Sequence, residues 1–98
     1  MPAPIYIGDE VSAAGYRLAG ARVRTPAAGE TARTLAEART EAPLVLISAS
    51  MAARIPESEL RPALAALAPL TLVVPDLAGE VAVPDLAARL RGQLGLEA

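Results

Sequence analysis

Cysteine, histidine, phenylalanine and tryptophan are missing from this chain of 98 residues, and every one of its nine Lys/Arg positions is an arginine. Without cysteine there is no disulfide framework and no thiolate chemistry. Without histidine the commonest general base and the commonest metal ligand are gone. Without lysine, Schiff-base catalysis and the lysine of a phosphate-binding P-loop are excluded. Only Tyr6 and Tyr16 are aromatic, so the core must be aliphatic. A net charge of −2 argues against sequence-independent nucleic-acid binding, which needs a basic face to displace counterions. No apolar run approaches the roughly 20 residues of a membrane-spanning helix. Met1-Pro2-Ala3-Pro4 lacks the charged start and long apolar stretch of a signal peptide, so a cytoplasmic chain is expected. Any enzyme built here would have only carboxylates, hydroxyls and arginines to work with.

What is present is 53% hydrophobic and long enough for one core. Pro4 to Gly8 reads as a first strand. A helix follows, capped by Asp9 or Ser12, with Val11, Ala14, Leu18 and Ala19 as its apolar positions and Gly15 packed closely at its middle. Gly20 stands where a left-handed C-terminal residue is wanted. Ala21 to Arg24 is a short edge strand with Val23 between two arginines. Gly29 to Thr40 is a second helix burying Leu35 and Ala38, with Thr31 as its candidate cap; Glu37 and Glu41 share a solvated face. Pro43 to Ser48 does not alternate and reads as a strand buried on both sides. Ser50 is placed to cap a single turn, Met51 to Arg54. A longer helix opens at Ser58 or Arg61 and reaches Ala68, with Leu60, Leu64 and Leu67 as its stripe and Pro62 in its first turn. Leu70 to Val74 is the fourth strand. Val81 to Val83 is a short extended piece, and Pro84-Asp85 opens a last helix with Leu86, Leu90 and Leu94 as its stripe and Arg89 and Arg91 near its end.

The alternation of strands and helices predicts an α/β fold: a single open parallel four-stranded sheet of order 2-1-3-4, Rossmann-like or receiver-like, with helices on both faces. Residues 1–76 form the α/β domain. Residues 77–98 are a hinge loop and C-terminal helix, either part of the same unit or a partner-binding tail.

Asp9 and Glu10 stand at the carboxyl end of the first strand, the edge where open α/β sheets bind ligands. A divalent-metal or phosphotransfer site there competes with plain helix capping. A phosphate-dependent receiver is weakened, because the third strand ends in Ser48 and there is no lysine. Gly8 alone is no dinucleotide fingerprint, and Ser12, Ser48 and Ser50 have no histidine or lysine to activate them. The stripe of Leu86, Leu90 and Leu94 suits either a core helix or one that lies on another protein.

Ile7-Gly8-Asp9-Glu10 followed by Gly15-Tyr16-Arg17-Leu18-Ala19-Gly20 resembles the opening of the F-subunits of the vacuolar/archaeal-type (V-type/A-type) rotary ATPases and ATP synthases. Ile47-Ser48, the strand Leu72-Val73-Val74-Pro75-Asp76, and a tail with Arg89, Arg91 and Gly95 are similar to later blocks of that family. The resemblance implies a non-catalytic central-stalk component of a proton- or sodium-translocating complex, with no cofactor of its own. It would bind the coiled-coil shaft, which is the D-subunit of such complexes, with the catalytic head subunits as a second candidate partner. It would thus be a cytoplasmic, membrane-peripheral part of the rotor. The contact it implies is the terminal helix, through Leu86, Arg89, Leu90, Arg91 and Leu94, with Asp9 and Glu10 as a second contact. The other readings are a receiver-like signalling domain that works without phosphorylation, and a small Mg²⁺-dependent module using Asp9 and Glu10.

Overall fold

The strands Ile5–Ile7, Leu44–Ser48 and Leu70–Val74 form where β-branched, aromatic and long aliphatic residues run together, the edge strand Arg22–Arg24 keeps only Val23 between two arginines, and helices fill stretches between them. The computed structural model describes residues 2–76. In order these give β1 (Ile5–Ile7), α1 (Glu10–Leu18), β2 (Arg22–Arg24), α2 (Thr31–Glu41), β3 (Leu44–Ser48), α3 (Ala49–Ala52), α4 (Glu57–Ala65) and β4 (Leu70–Val74). The four strands make one sheet of order β2-β1-β3-β4, every pairing parallel, as the alternation of elements predicts. The expected extended piece at Val81–Val83 and the last helix, with Leu86, Arg89, Leu90, Arg91 and Leu94, lie outside the described residues.

Register sorts the side chains into two layers. Tyr6 pairs with Leu46 and Leu46 with Leu72, so these share one face. There Tyr6, Leu46 and Ala21 meet Ala13 and Tyr16 of α1 and Ala19 at its C-terminal cap. The odd-numbered Ile5, Ile7, Val45 and Ile47 point the other way, onto Leu35 and Ala38 of α2, Met51 and Ala52 of α3, and Ala63 of α4. β1 and the centre of β3 are thus buried from both sides, which is why they do not alternate in hydropathy.

Several local expectations are corrected. The buried face of α1 is Ser12, Ala13, Gly15, Tyr16 and then Ala19, not the Val11–Ala14–Leu18 stripe; Val11 and Leu18 are 52% and 56% exposed. Small residues win because the helix must approach closely enough for Tyr16 to lie on Tyr6. Thr31 is the first residue of α2 rather than its cap, which falls on Glu30. Ser48, not Ser50, caps α3: its Oγ accepts the Met51 N–H at 3.2 Å. α4 starts earlier, at Glu57, so Pro62 falls in its second turn, and it stops at Ala65 because Ala66 is already extended (ψ 139°). Leu67 therefore lies beyond the helix, 88% exposed.

The two edges of the sheet differ. On β2, Arg24 Nη2 donates to Glu41 Oε1 at 3.2 Å and Arg22 Nη2 donates to the Glu41 carbonyl at 3.2 Å. Glu41 therefore belongs to a bridge with the edge strand rather than to the solvated Glu37 face. Its exposed ion pairs are each worth at most about 1 kcal/mol.

Candidate functional site

The carboxyl ends of the strands bring together Asp9 and Glu10 after β1, Thr25 after β2, Ser48 and Ser50 at the end of β3, and Asp76 after β4. The turn out of β1 sets the geometry. Tyr6 is fully buried and stacks on Tyr16, ring centroids 3.8 Å apart and planes within 8°. Its phenol folds back over Gly8: a Cβ on Gly8 would fall inside Tyr6 Oη, Cζ and Cε2. A glycine is required here by the closeness of the ring rather than by backbone angles. Gly20, at the other end of the motif, is required by its φ of 110°.

Asp9 is held in extended backbone (φ −77°, ψ 163°), and its Oδ2 accepts the N–H groups of Val11 and Ser12, each at 3.0 Å. Burial pushes its carboxyl up, but hydrogen bonds centred on Ser12 and Val11 outweigh this and hold it below the usual aspartate value. Glu10 turns the other way, its Oε1 accepting from Thr25 Oγ at 3.0 Å. The two neighbouring carboxylates therefore do not converge on one point, as a two-carboxylate metal or phosphotransfer site would require. Ser12 Oγ is buried within reach of both Tyr6 Oη and Asp9, without a hydrogen bond of normal geometry to either. Burial raises the Tyr6 hydroxyl well above the ordinary phenol range and moves that of Tyr16 in the same direction.

On the β3–β4 side, Asp76 clasps the start of α3. Ser50 N–H donates to its Oδ2 at 3.0 Å and Ser50 Oγ to its Oδ1 at 2.6 Å. Sequence reading missed this pair. The signal was available: once the strand order is set, residues just past β3 and β4 must be neighbours. Among the described residues no group of three acidic, histidine or cysteine side chains could hold a metal ion. Ser50 has a carboxylate beside it but no imidazole or amine side chain, in a chain with neither His nor Lys, to take its proton. What this edge can do chemically is hydrogen-bond and present charge.

Comparison with protein-family models, with curated proteins and with solved structures finds no match for this chain.

The Asp9 cap makes the stability of the domain depend on pH. Because its folded carboxyl lies below the unfolded value, the stabilisation is fully present above the unfolded pKa of about 4 and is lost as pH falls through the folded value. Asp9→Ala should cost about 1 kcal/mol near neutrality. Asp9→Asn should keep most of the cap yet lose this acid-limb dependence. Urea midpoints followed from about pH 6 to about pH 2 check both.

Proposed function

We propose that this chain is a non-catalytic central-stalk component of a vacuolar/archaeal-type rotary ATPase or ATP synthase, of the F-subunit kind. It would bind the coiled-coil shaft and turn with it, with ATP chemistry in the catalytic head and ion movement in the membrane sector.

The observation that carries this reading is the use to which the opening motif is put. Five residues of that motif are tied to building one strand–turn–helix unit. Gly8 makes room for a tyrosine, Asp9 caps α1, Gly15 and Tyr16 are buried against the sheet, and Gly20 takes a positive φ. A motif used up in architecture suits a scaffold better than an enzyme. The end of β3 supports the same preference, since Ser48 caps a helix where a receiver domain would need its phosphoacceptor carboxylate. Among the described residues no helix is long and apolar enough to cross a membrane, which fits attachment through a partner.

The test is capture of the tagged full chain from its own cells, followed by mass spectrometry. Recovery of a coiled-coil protein together with large nucleotide-binding ones is expected. Recovery of a kinase or a transcription regulator instead would overturn the reading. Replacing Leu90 and Arg91 together, Leu90→Ala with Arg91→Glu, should weaken shaft binding by about 2 kcal/mol, roughly thirtyfold in Kd. Unchanged binding would place the interface away from the terminal stripe.

A further inference from the structure

Helices α2 and α4 spend most of their charges on near neighbours. Glu30, just before α2, and Glu37 both pair with Arg33, Glu41 pairs with Arg22 and Arg24, and Glu57 pairs with Arg61. Two opposite charges on these helices are left over. Among the described residues Arg39 has no carboxylate partner and Glu59 has no arginine. Arg39 Nη2 makes one long hydrogen bond, to the Pro69 carbonyl at 3.4 Å, while its Nε is buried and makes none. A guanidinium has N–H donors on all three nitrogens, so most of this one's capacity goes unused among the described residues.

The two leftover charges line the same groove. It lies between α2 and α4 and holds about 230 Å³. Leu35, Ile55 and Ala63, all buried, give it an apolar lining, and Ala32 and Ala36 border it on α2. A second cleft, along α4 at Glu57, Ser58, Arg61 and Pro62, differs in that its charges already satisfy each other. Topology sets Arg39 and Glu59 apart. α2 and α4 both lead into parallel strands from the same face of the sheet, so both run from its carboxyl edge toward its amino edge. Glu59 stands in the first turn of α4 and Arg39 in the last turn of α2. Glu59 therefore lies toward the carboxyl edge, and Arg39 toward the amino edge, beside Pro69 where β4 begins.

We infer that this groove binds a small linear ω-amino carboxylate, an apolar chain with a carboxylate at one end for Arg39 and an ammonium at the other for Glu59. An apolar recess with a few convergent polar groups is the usual form of a small-molecule site. Charge selects the class. An aliphatic acid would leave Glu59 unmatched, and an aliphatic amine would leave Arg39 unmatched. An α-amino acid carries both charges at one end, whereas the groove offers them at two. Size sets the length. The volume equals that of about eight waters, which suits a chain of about eight or nine non-hydrogen atoms; ε-aminohexanoate is of that size. So small a ligand binds weakly, with a Kd on the order of 1 mM. The groove takes no part in the proposed rotary contacts, so the two readings stand or fall separately.

Amide chemical shifts of the full chain, followed as ε-aminohexanoate is added, test it. Saturable shifts centred on α2 and α4 are expected; no saturation even at about 50 mM overturns the inference. Hexanoate and hexylamine carry one charge each, and norleucine carries both at one end. Each should bind at least about tenfold more weakly, because a charged partner is left unmatched. Equal binding by any of the three overturns the assignment. Glu59→Gln, at an exposed position, should lower the affinity for ε-aminohexanoate to that for hexanoate. Ala36→Leu, also at an exposed position, puts a larger side chain at the groove and should remove the shifts, with far-ultraviolet dichroism confirming that the variant is folded. Glu59→Gln keeps the test decisive should Ala36→Leu fail to fold. Binding that survives either change undiminished overturns the site.

Discussion

Gly8→Ala will lose about 3 kcal/mol of stability, the upper end for one added methyl in a packed core. The new Cβ would fall inside the phenol ring of Tyr6, and that ring cannot swing away. It is fully buried, with Tyr16 stacked on it at 3.8 Å. The backbone angles at position 8 do not forbid alanine, so the whole effect comes from the ring. A double variant therefore isolates it. Tyr6→Leu alone should be destabilising, yet adding Gly8→Ala to Tyr6→Leu should cost under about 1 kcal/mol, a coupling well outside additivity. Urea denaturation of the four chains of this cycle is the measurement. An additive result would mean that Gly8 is needed for its backbone instead.

Ile47→Ala should be nearly as damaging. Ile47 lies on the central strand β3, fully buried, among Ile5, Ile7, Val45 and the helices α2 and α3. Truncating it removes transfer energy and leaves a cavity, together about 3 kcal/mol. In a domain of this size that is a fall in Tm of roughly 15 °C. Leu67→Ala, also a large aliphatic cut back to alanine, should change stability by no more than about 0.5 kcal/mol, because Leu67 is 88% exposed in the turn before β4. Thermal unfolding of the two variants side by side separates them. The pair matters because a reading of helical spacing alone assigns Leu67 to a buried stripe.

That contrast shows where the sequence is legible. The sheet and its order follow from patterns that burial imposes over whole elements. Leu44 to Ser48 is apolar without alternation because both faces are covered, while Val23 between two arginines marks an edge. Gly20 was equally readable and the cap of α1 was narrowed to Asp9 or Ser12, of which the fold uses Asp9, since each answers a local backbone demand. Helix faces were not. In α1 the contact with β1 is made by Ser12, Ala13, Gly15 and Tyr16, so the larger Val11 and Leu18 are turned outward. A rule that ranks positions by hydrophobicity picks the wrong stripe when close approach is worth more than side-chain area. Helix starts slipped for a related reason. Ser48 and Ser50 are both plausible caps, and Asp76, 26 residues further on, takes Ser50 for itself. At the candidate site, adjacency in sequence put Asp9 and Glu10 together. In the folded chain one carboxylate turns into the helix and the other toward Thr25, a divergence set by the cap and invisible to spacing.

With neither tryptophan nor phenylalanine in the chain, Tyr6 and Tyr16 are its entire near-ultraviolet chromophore. They lie on a single side of the sheet, where α1 rests on β1. Among the described helices, tyrosine absorbance and near-ultraviolet dichroism will therefore record the departure of α1, and stay silent while α2, α3 and α4 leave the opposite side. Far-ultraviolet dichroism sees every helix. Overlaid in one titration, the two signals coincide if the domain unfolds as a unit and separate if its two layers come apart in turn. The scarcity of aromatic residues thus equips this protein with a built-in, one-sided optical probe that needs no label.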